Sequence, residues 1–364
     1  VIPRLDRYVA RFYLSSWVVS TVFFVGLYGV YDFFQNVDDL LDEFRSDATG
    51  LSSVGLLYLY QLPVMLARVA PFMLVAAALV TITRLQRHNE FLAMVMTGRS
   101  PNRVARPVIL LTAVFVMGLV GVQEFVAPAV SEARDELIAS LLETDGEWTI
   151  ERISMRDAEG RLVTAVDYDV GSRTASRLNV SWRDDDGDDV LVTGESARHD
   201  PGARGWRIVN GTIAIRDGAS GEQSENEASF VSTDIDPDAL MASSRHAFDM
   251  SYAQLLDLSD RYPGSRRYRL LRHYHVTFPL ALVLVTLLAL RFSLKPDPSR
   301  RLQGLGASLL ACLGFQVLDA AMQQLGAEGT LPPVLAAWMP VIVAGSLVAV
   351  LAEPEVDPRS AQAG

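Results

Sequence analysis

Residues 84–106 read RLQRHNEFLAMVMTGRSPNRVAR, with arginine at both ends and a long apolar run on either side. A short basic loop between two membrane spans faces the cytoplasm. Its middle, Asn89 to Gly98, is predicted to be a helix with Asn89 as N-cap and Gly98 as stop. Phe91, Leu92, Val95 and Met96 supply an apolar face, and Glu90, Met94 and Gly98 recur every fourth residue. A helix lying across the inner face of a bilayer is a handle for a soluble partner. The plainer alternative is a surface helix that only joins two spans.

The flanking runs fix the architecture. Crossing a hydrocarbon core of about 30 Å takes about 20 residues. Phe12–Phe34 and Leu56–Thr83 are long enough, and Pro107 opens a third run that reaches Val126 before Pro128. The first run is too long for a cleavable signal. Three more runs follow a polar region: Val276–Phe292, Leu302–Leu325, and one from Leu331 to Ala352.

The region 129–250 differs in pattern. Short alternating runs at 162–166, 178–182, 190–192, 206–208 and 212–215 predict strands. Glu159-Gly160, Asp186-Gly187 and Asp217-Gly218 punctuate them as turns. This is an antiparallel β domain, a sandwich or an open jelly roll, with 218–229 expected to be mobile. Ser251–Arg261 reads as a short amphipathic helix capped by Ser251 and stopped by Pro263-Gly264.

The predicted organisation is therefore three spans with a cytoplasmic helix in 1–128, a β domain in 129–250, a connecting helix and three spans in 251–352, and a tail in 353–364. The segments 1–11, 84–106 and 291–301 are basic, and the segment 36–50 is acidic. Six spans then put both termini in the cytoplasm and the β domain outside.

Composition narrows the function. Half of the 364 residues are hydrophobic, mean hydropathy is +0.21, and the formal net charge is −11, so nucleic acid is not an expected partner. Cys312 is the single cysteine, which excludes an internal disulfide, and the five histidines show no metal-ligand spacing. There is no phosphate-binding glycine loop and no HExxH helix. Lys295 is the sole lysine. Nothing points to catalysis or to a cofactor bound by this chain.

Ionisable residues in or near spans are costly, about 2.5–3.5 kcal/mol at mid-bilayer on insertion scales. Asp32, Arg68, Glu124 and Asp319 all lie towards the outer ends of their spans, where they read either as interfacial residues or as a polar ring around one cavity. Arg266, Arg267, Arg269, Arg272, His273 and His275 form a basic run on the outer side, against the charge rule. It reads as an anchor for anionic headgroups or as a docking surface for a phosphorylated lipid. Small residues, Ala76–Ala78 in span two and Gly304, Ala307, Ser308, Ala311 and Cys312 in span five, permit close helix packing, within the chain or against a second subunit.

With these residues in view, the chain resembles the LptF/LptG permease family, which forms the membrane part of the ABC transporter that extracts lipopolysaccharide. LDRYVARF at 5–12 resembles the family's opening, and Glu90-x-x-x-Met94-x-x-x-Gly98 matches its coupling-helix motif. EFVAPAVSEAR at 124–134 resembles the exit of span three; Arg267-Tyr268 with His275 and Pro279 resembles the entry to span four; and GTLPPVLAAWMP at 329–340 resembles the start of span six. EFVAP and ARHDPGARGWRI at 197–208 place it closer to LptG.

The resemblance implies six transmembrane helices with an all-β periplasmic jellyroll-like domain, in the bacterial inner membrane. It implies lipopolysaccharide as cargo and an LptB-like ATPase dimer carrying the ATP–Mg. It also implies a second LptF/LptG-type subunit, and LptC-like and LptA-like periplasmic jellyroll partners. Arg84, Arg87, Glu90, Phe91, Met94 and Gly98 are then the coupling residues. Asp32, Arg68, Arg134, Arg266, Arg267, Arg269, Arg272 and His275 are the lipid-binding candidates. Members resembling LptG carry lysines at the outer end of span one, where this chain has Asp32, so its arginines are expected to take the phosphate contacts. Two other readings compete: a membrane-anchored lipid-binding or assembly protein without transport, and an intramembrane carrier or enzyme using Asp32, Glu124 or Asp319.

Overall fold

A computed structural model describes residues 4–35, 37, 50–131, 133, 149–157, 159–169, 174–184, 187–200, 202–203, 205–217, 223–237, 240, 248–294 and 301–351. Most of the acidic segment, much of the second basic loop and the tail lie outside the described residues, as does Arg134.

Among the described residues, six helices are long and apolar enough to cross a membrane. They are α1 (Arg4–Gln35), α2 (Gly50–Arg87), α4 (Pro101–Gly121), α6 (Arg266–Ser293), α7 (Arg301–Glu328) and α8 (Pro333–Val350); the short α3 (Glu90–Met96) lies between α2 and α4. Span three begins earlier than expected. Pro101 occupies its first turn, where the missing N–H costs nothing, and Pro107 sits inside the helix. The expected break at Pro128 is instead a π-turn, Val122–Val126, after which the helix resumes. Proline cannot donate to the carbonyl of Glu124 and its ring crowds it, so the preceding turn widens. Span four also starts earlier, because the basic run is its own first turns.

Two compact units result: 1–123 with 273–364, and 124–272. In the first, α2 is the central helix: 72% of its most apolar window is buried, against 17% for α1 and α7. Val75 and Leu79 of α2 share one core with Ala281 and Val285 of α6 and with Cys312 and Phe315 of α7. The small residues of α7 are used here within the chain. A Cβ on Gly304 would meet the Phe292 carbonyl at 2.7 Å, and Ser308 Oγ donates to Ala289 O at 2.7 Å.

The second unit holds a six-stranded antiparallel sheet in the order β1 to β6. The strands are Thr149–Arg156, Leu162–Asp169, Thr174–Arg183, Asp189–Asp200, Gly205–Arg216 and Gln223–Ser232. Each strand pairs with its sequence neighbour, so among the described residues the expected all-β domain is an open, unclosed antiparallel sheet of meander order. The runs at 206–208 and 212–215 belong to one strand, β5, with a register shift between Arg207 and Gly211. The stretch expected to be mobile is largely β6 from Gln223 onward.

Ile153, Val163, Leu178, Val180, Val192 and Trp206 line the buried face of the sheet. That face is filled from the chain itself: Ile235, Leu240, Tyr262 and Tyr268 join the same core, and Trp206 Nε1 donates to Ile235 O at 3.0 Å. Helix α5 (Tyr252–Arg261) has the predicted start, with Ser251 and Gln254 forming a full capping box.

Candidate functional site

Helix α3 has two turns, and packing decides which side is free. Phe91 and Met94 are buried in a core with Val9, Ile82, Val104 and Leu290, which belong to four different helices. Leu92 and Met96 point outward, at 40% and 80% exposure. The expected apolar face is thus split, and Met94 does not share a free stripe with Glu90 and Gly98. Asn89 occupies the N-cap position but is left-handed (φ 57°), and its side chain makes no cap. The stop is as predicted: Gly98 has φ 84° and its N–H donates to Val95 O at 2.9 Å.

Glu90 is already engaged. Tyr8 Oη reaches both of its oxygens, at 2.9 and 3.0 Å. The Tyr8 ring stands edge-on to Phe12, centroids 4.7 Å apart, and the Arg84 guanidinium lies 4.2 Å over the Phe12 ring. Arg99 approaches Asp6 at 3.8 Å. Gln86 Nε2 donates to Ser293 O at 2.7 Å, and Arg291 donates to Asn102 Oδ1 at 3.0 Å. The start of α1, the end of α6 and both flanks of α3 are therefore one interlocked platform. Arg84, Arg87, Leu92 and Met96 are on its open side.

At the other end of α1, Asp32 accepts a hydrogen bond from Tyr58 of α2, with Arg68 in electrostatic range. Arg68 donates to Tyr28 Oη and lies 5.8 Å over that ring. Asp32 and Arg68 thus each have a tyrosine partner, Tyr58 and Tyr28 respectively. Tyr28 and Asp32 are four residues apart on one helical face, which is the signal that sequence reading passed over.

Asp319 is held elsewhere, by Tyr274 Oη at 3.2 Å and Gln323 Nε2 at 2.8 Å. Glu124, in the π-turn, belongs to the other unit and accepts from the backbone N–H of Tyr252 at 2.9 Å. Within the first unit, Asp32 and Arg68 of the four outer ionisable residues are brought together.

The basic run occupies the first turns of α6. Arg266, Arg267 and Arg269 are exposed, Arg272 and His273 half-buried, and His275 buried. Positive charge at a helix N-terminus opposes the helix dipole, so an anion there is doubly favoured. No group of three or more potential metal ligands occurs among the described residues.

Residues 7–353 match the family described as lipopolysaccharide export system permease LptF/LptG. No curated protein matches the chain.

Proposed function

The chain belongs to the LptF/LptG family of lipopolysaccharide export permeases, and from that premise we propose that it is the membrane subunit of an ABC transporter. It is a multi-pass inner-membrane protein of a transport family, not an enzyme family. In the proposed arrangement the termini and α3 are cytoplasmic and the sheet is periplasmic. An LptB-like ATPase dimer hydrolyses ATP and engages α3. A second LptF/LptG-type subunit completes the path, and LptC-like and LptA-like proteins receive the lipid. Whether this chain fills the LptG or the LptF role is left open by the family match.

The observation that carries the reading is the platform around α3. Glu90 is oriented by Tyr8, and Leu92 and Met96 stay exposed on a helix anchored through Phe91 and Met94. An anchored helix with an apolar outer side transmits a partner's movement to the spans it is packed against. Acyl chains resist leaving the bilayer by about 0.8 kcal/mol per CH₂, so extraction needs such a drive.

The test is purification of the tagged full chain from its native membranes. The expected result is co-elution of an ATPase and a second permease, with lipopolysaccharide stimulating hydrolysis. A chain that elutes without any ATPase overturns the proposal.

A further inference from the structure

This inference rests on the permease reading and concerns how Glu90 is presented to the ATPase. Glu90 opens a helix of seven residues whose N-cap side chain makes no hydrogen bond. It is half-buried, and the group that holds it is the neutral Tyr8 hydroxyl. Two arginines that flank α3 are directed elsewhere: Arg84 lies over the Phe12 ring and Arg99 approaches Asp6. The near-equal distances, 2.9 and 3.0 Å, place the Tyr8 hydroxyl between the two carboxylate oxygens. A phenol has one proton to share and an ionised carboxylate about four lone-pair sites, so most of the acceptor capacity of Glu90 stays open.

Tyr8 is fixed in turn. Its ring stands edge-on to Phe12, about one turn further along α1, and the Arg84 guanidinium covers Phe12. Arg84 of α2 thus braces Phe12, and Phe12 braces Tyr8. A glutamate on a two-turn helix rotates about three side-chain bonds, and a partner that captures it must freeze them. Here Tyr8 restrains them in advance. We propose that Tyr8 is a positioning residue of the coupling site, holding the Glu90 carboxylate so that a cationic side chain of the ATPase takes the remaining lone pairs. The site then extends beyond α3 to the first turns of α1.

The alternative is a structural staple between α1 and α3, and Tyr8→Phe combined with Glu90→Gln separates the two. Phenylalanine keeps the ring against Phe12 and loses only the hydroxyl. Glutamine keeps an oxygen for Tyr8 and loses the charge. The assay uses the full chain with its second permease subunit in nanodiscs, stripped of ATPase. The unsubstituted complex, both single variants and the double variant are each titrated with the ATPase that co-elutes in the test above. Tyr8→Phe should weaken ATPase binding about threefold to tenfold, the effect of leaving one long side chain to be ordered by the partner. In the Glu90→Gln background it should weaken binding no further, because the charge that Tyr8 orients is already gone. An equal loss in both backgrounds marks a staple and overturns the inference. So does a Tyr8→Phe complex that binds the ATPase as tightly as the unsubstituted one. If the unsubstituted complex binds no ATPase, the permease reading falls, and this inference with it.

Discussion

Glu90 illustrates what a single residue contributes before any partner arrives. A carboxylate in the first turn suits the helix dipole, and Tyr8 fixes its direction from 82 positions away. That separation is why the Tyr8 contact leaves no trace in the local sequence around Glu90. Glu90→Lys reverses the charge and loses the Tyr8 bonds, so it should reduce ATPase co-purification while the chain still inserts. Normal co-purification with full lipid release would count against the coupling role. The two methionines should part company. Met94→Ala empties a core position and should cost about 2–5 kcal/mol of stability, seen as a lower melting temperature. Met96→Glu changes an exposed position, should alter stability by less than about 0.5 kcal/mol, and should abolish ATPase capture. The sequence could not assign these roles, because a two-turn helix with apolar residues on both sides has no single hydrophobic stripe.

At the scale of elements, strands with alternating apolar residues were legible and edge strands were not. β2, β3 and β4 bury every second side chain over part of their length, which is the pattern read at 162–166, 178–182 and 190–192. β6 reads QSENEASFVS and buries only Val231, so it is held by its ladder to β5 and leaves almost no hydrophobic trace. β1, TIERISMR, is masked by its charges in the same way. The edges differ in a useful respect. β6 presents two charges of one sign, Glu225 and Glu227, whereas the sequence of β1 carries both signs, and repelling like charges on an edge deter strand addition. We therefore expect a periplasmic jellyroll partner to add to β1. Photo-crosslinkers along Thr149–Arg156 should trap it, and those along Gln223–Glu227 should not; the reverse pattern would refute strand addition at β1. A second prediction concerns the sheet centre, where Gly194 opposes Leu178 and a Cβ would overlap the Ile208 side chain. Gly194→Val should destabilise the sheet by about 1–3 kcal/mol, measured as faster hydrogen exchange in β4 and β5.

For the whole molecule, hydropathy made the six spans and the inserted β unit readable, because lipid demands long apolar helices whatever their partners. It could not rank them by burial. The most enclosed helix, α2, runs with only His88 and Asn89 between its end and α3, and it also carries Arg68 and both internal prolines, Pro63 and Pro71. Each proline removes the rung to the carbonyl four residues earlier, at Leu59 and Ala67. Arg68 and the helix end at Arg87 are roughly 28 Å apart at helical rise. A displacement imposed at α3 crosses the His88–Asn89 link and then reaches the polar knot of Asp32, Tyr58 and Arg68 along the single rod of α2. That rod is stiff below Pro71 and compliant above it. Pro71→Ala restores the missing rung and should raise stability slightly while lowering lipid release per ATP hydrolysed. Release and hydrolysis that stay in their original proportion would show that this compliance is not used. A rod with two soft joints bends before it slides, so under the proposed coupling a stroke delivered at the platform is expected to arrive at the far end of α2 as a change of angle rather than of height.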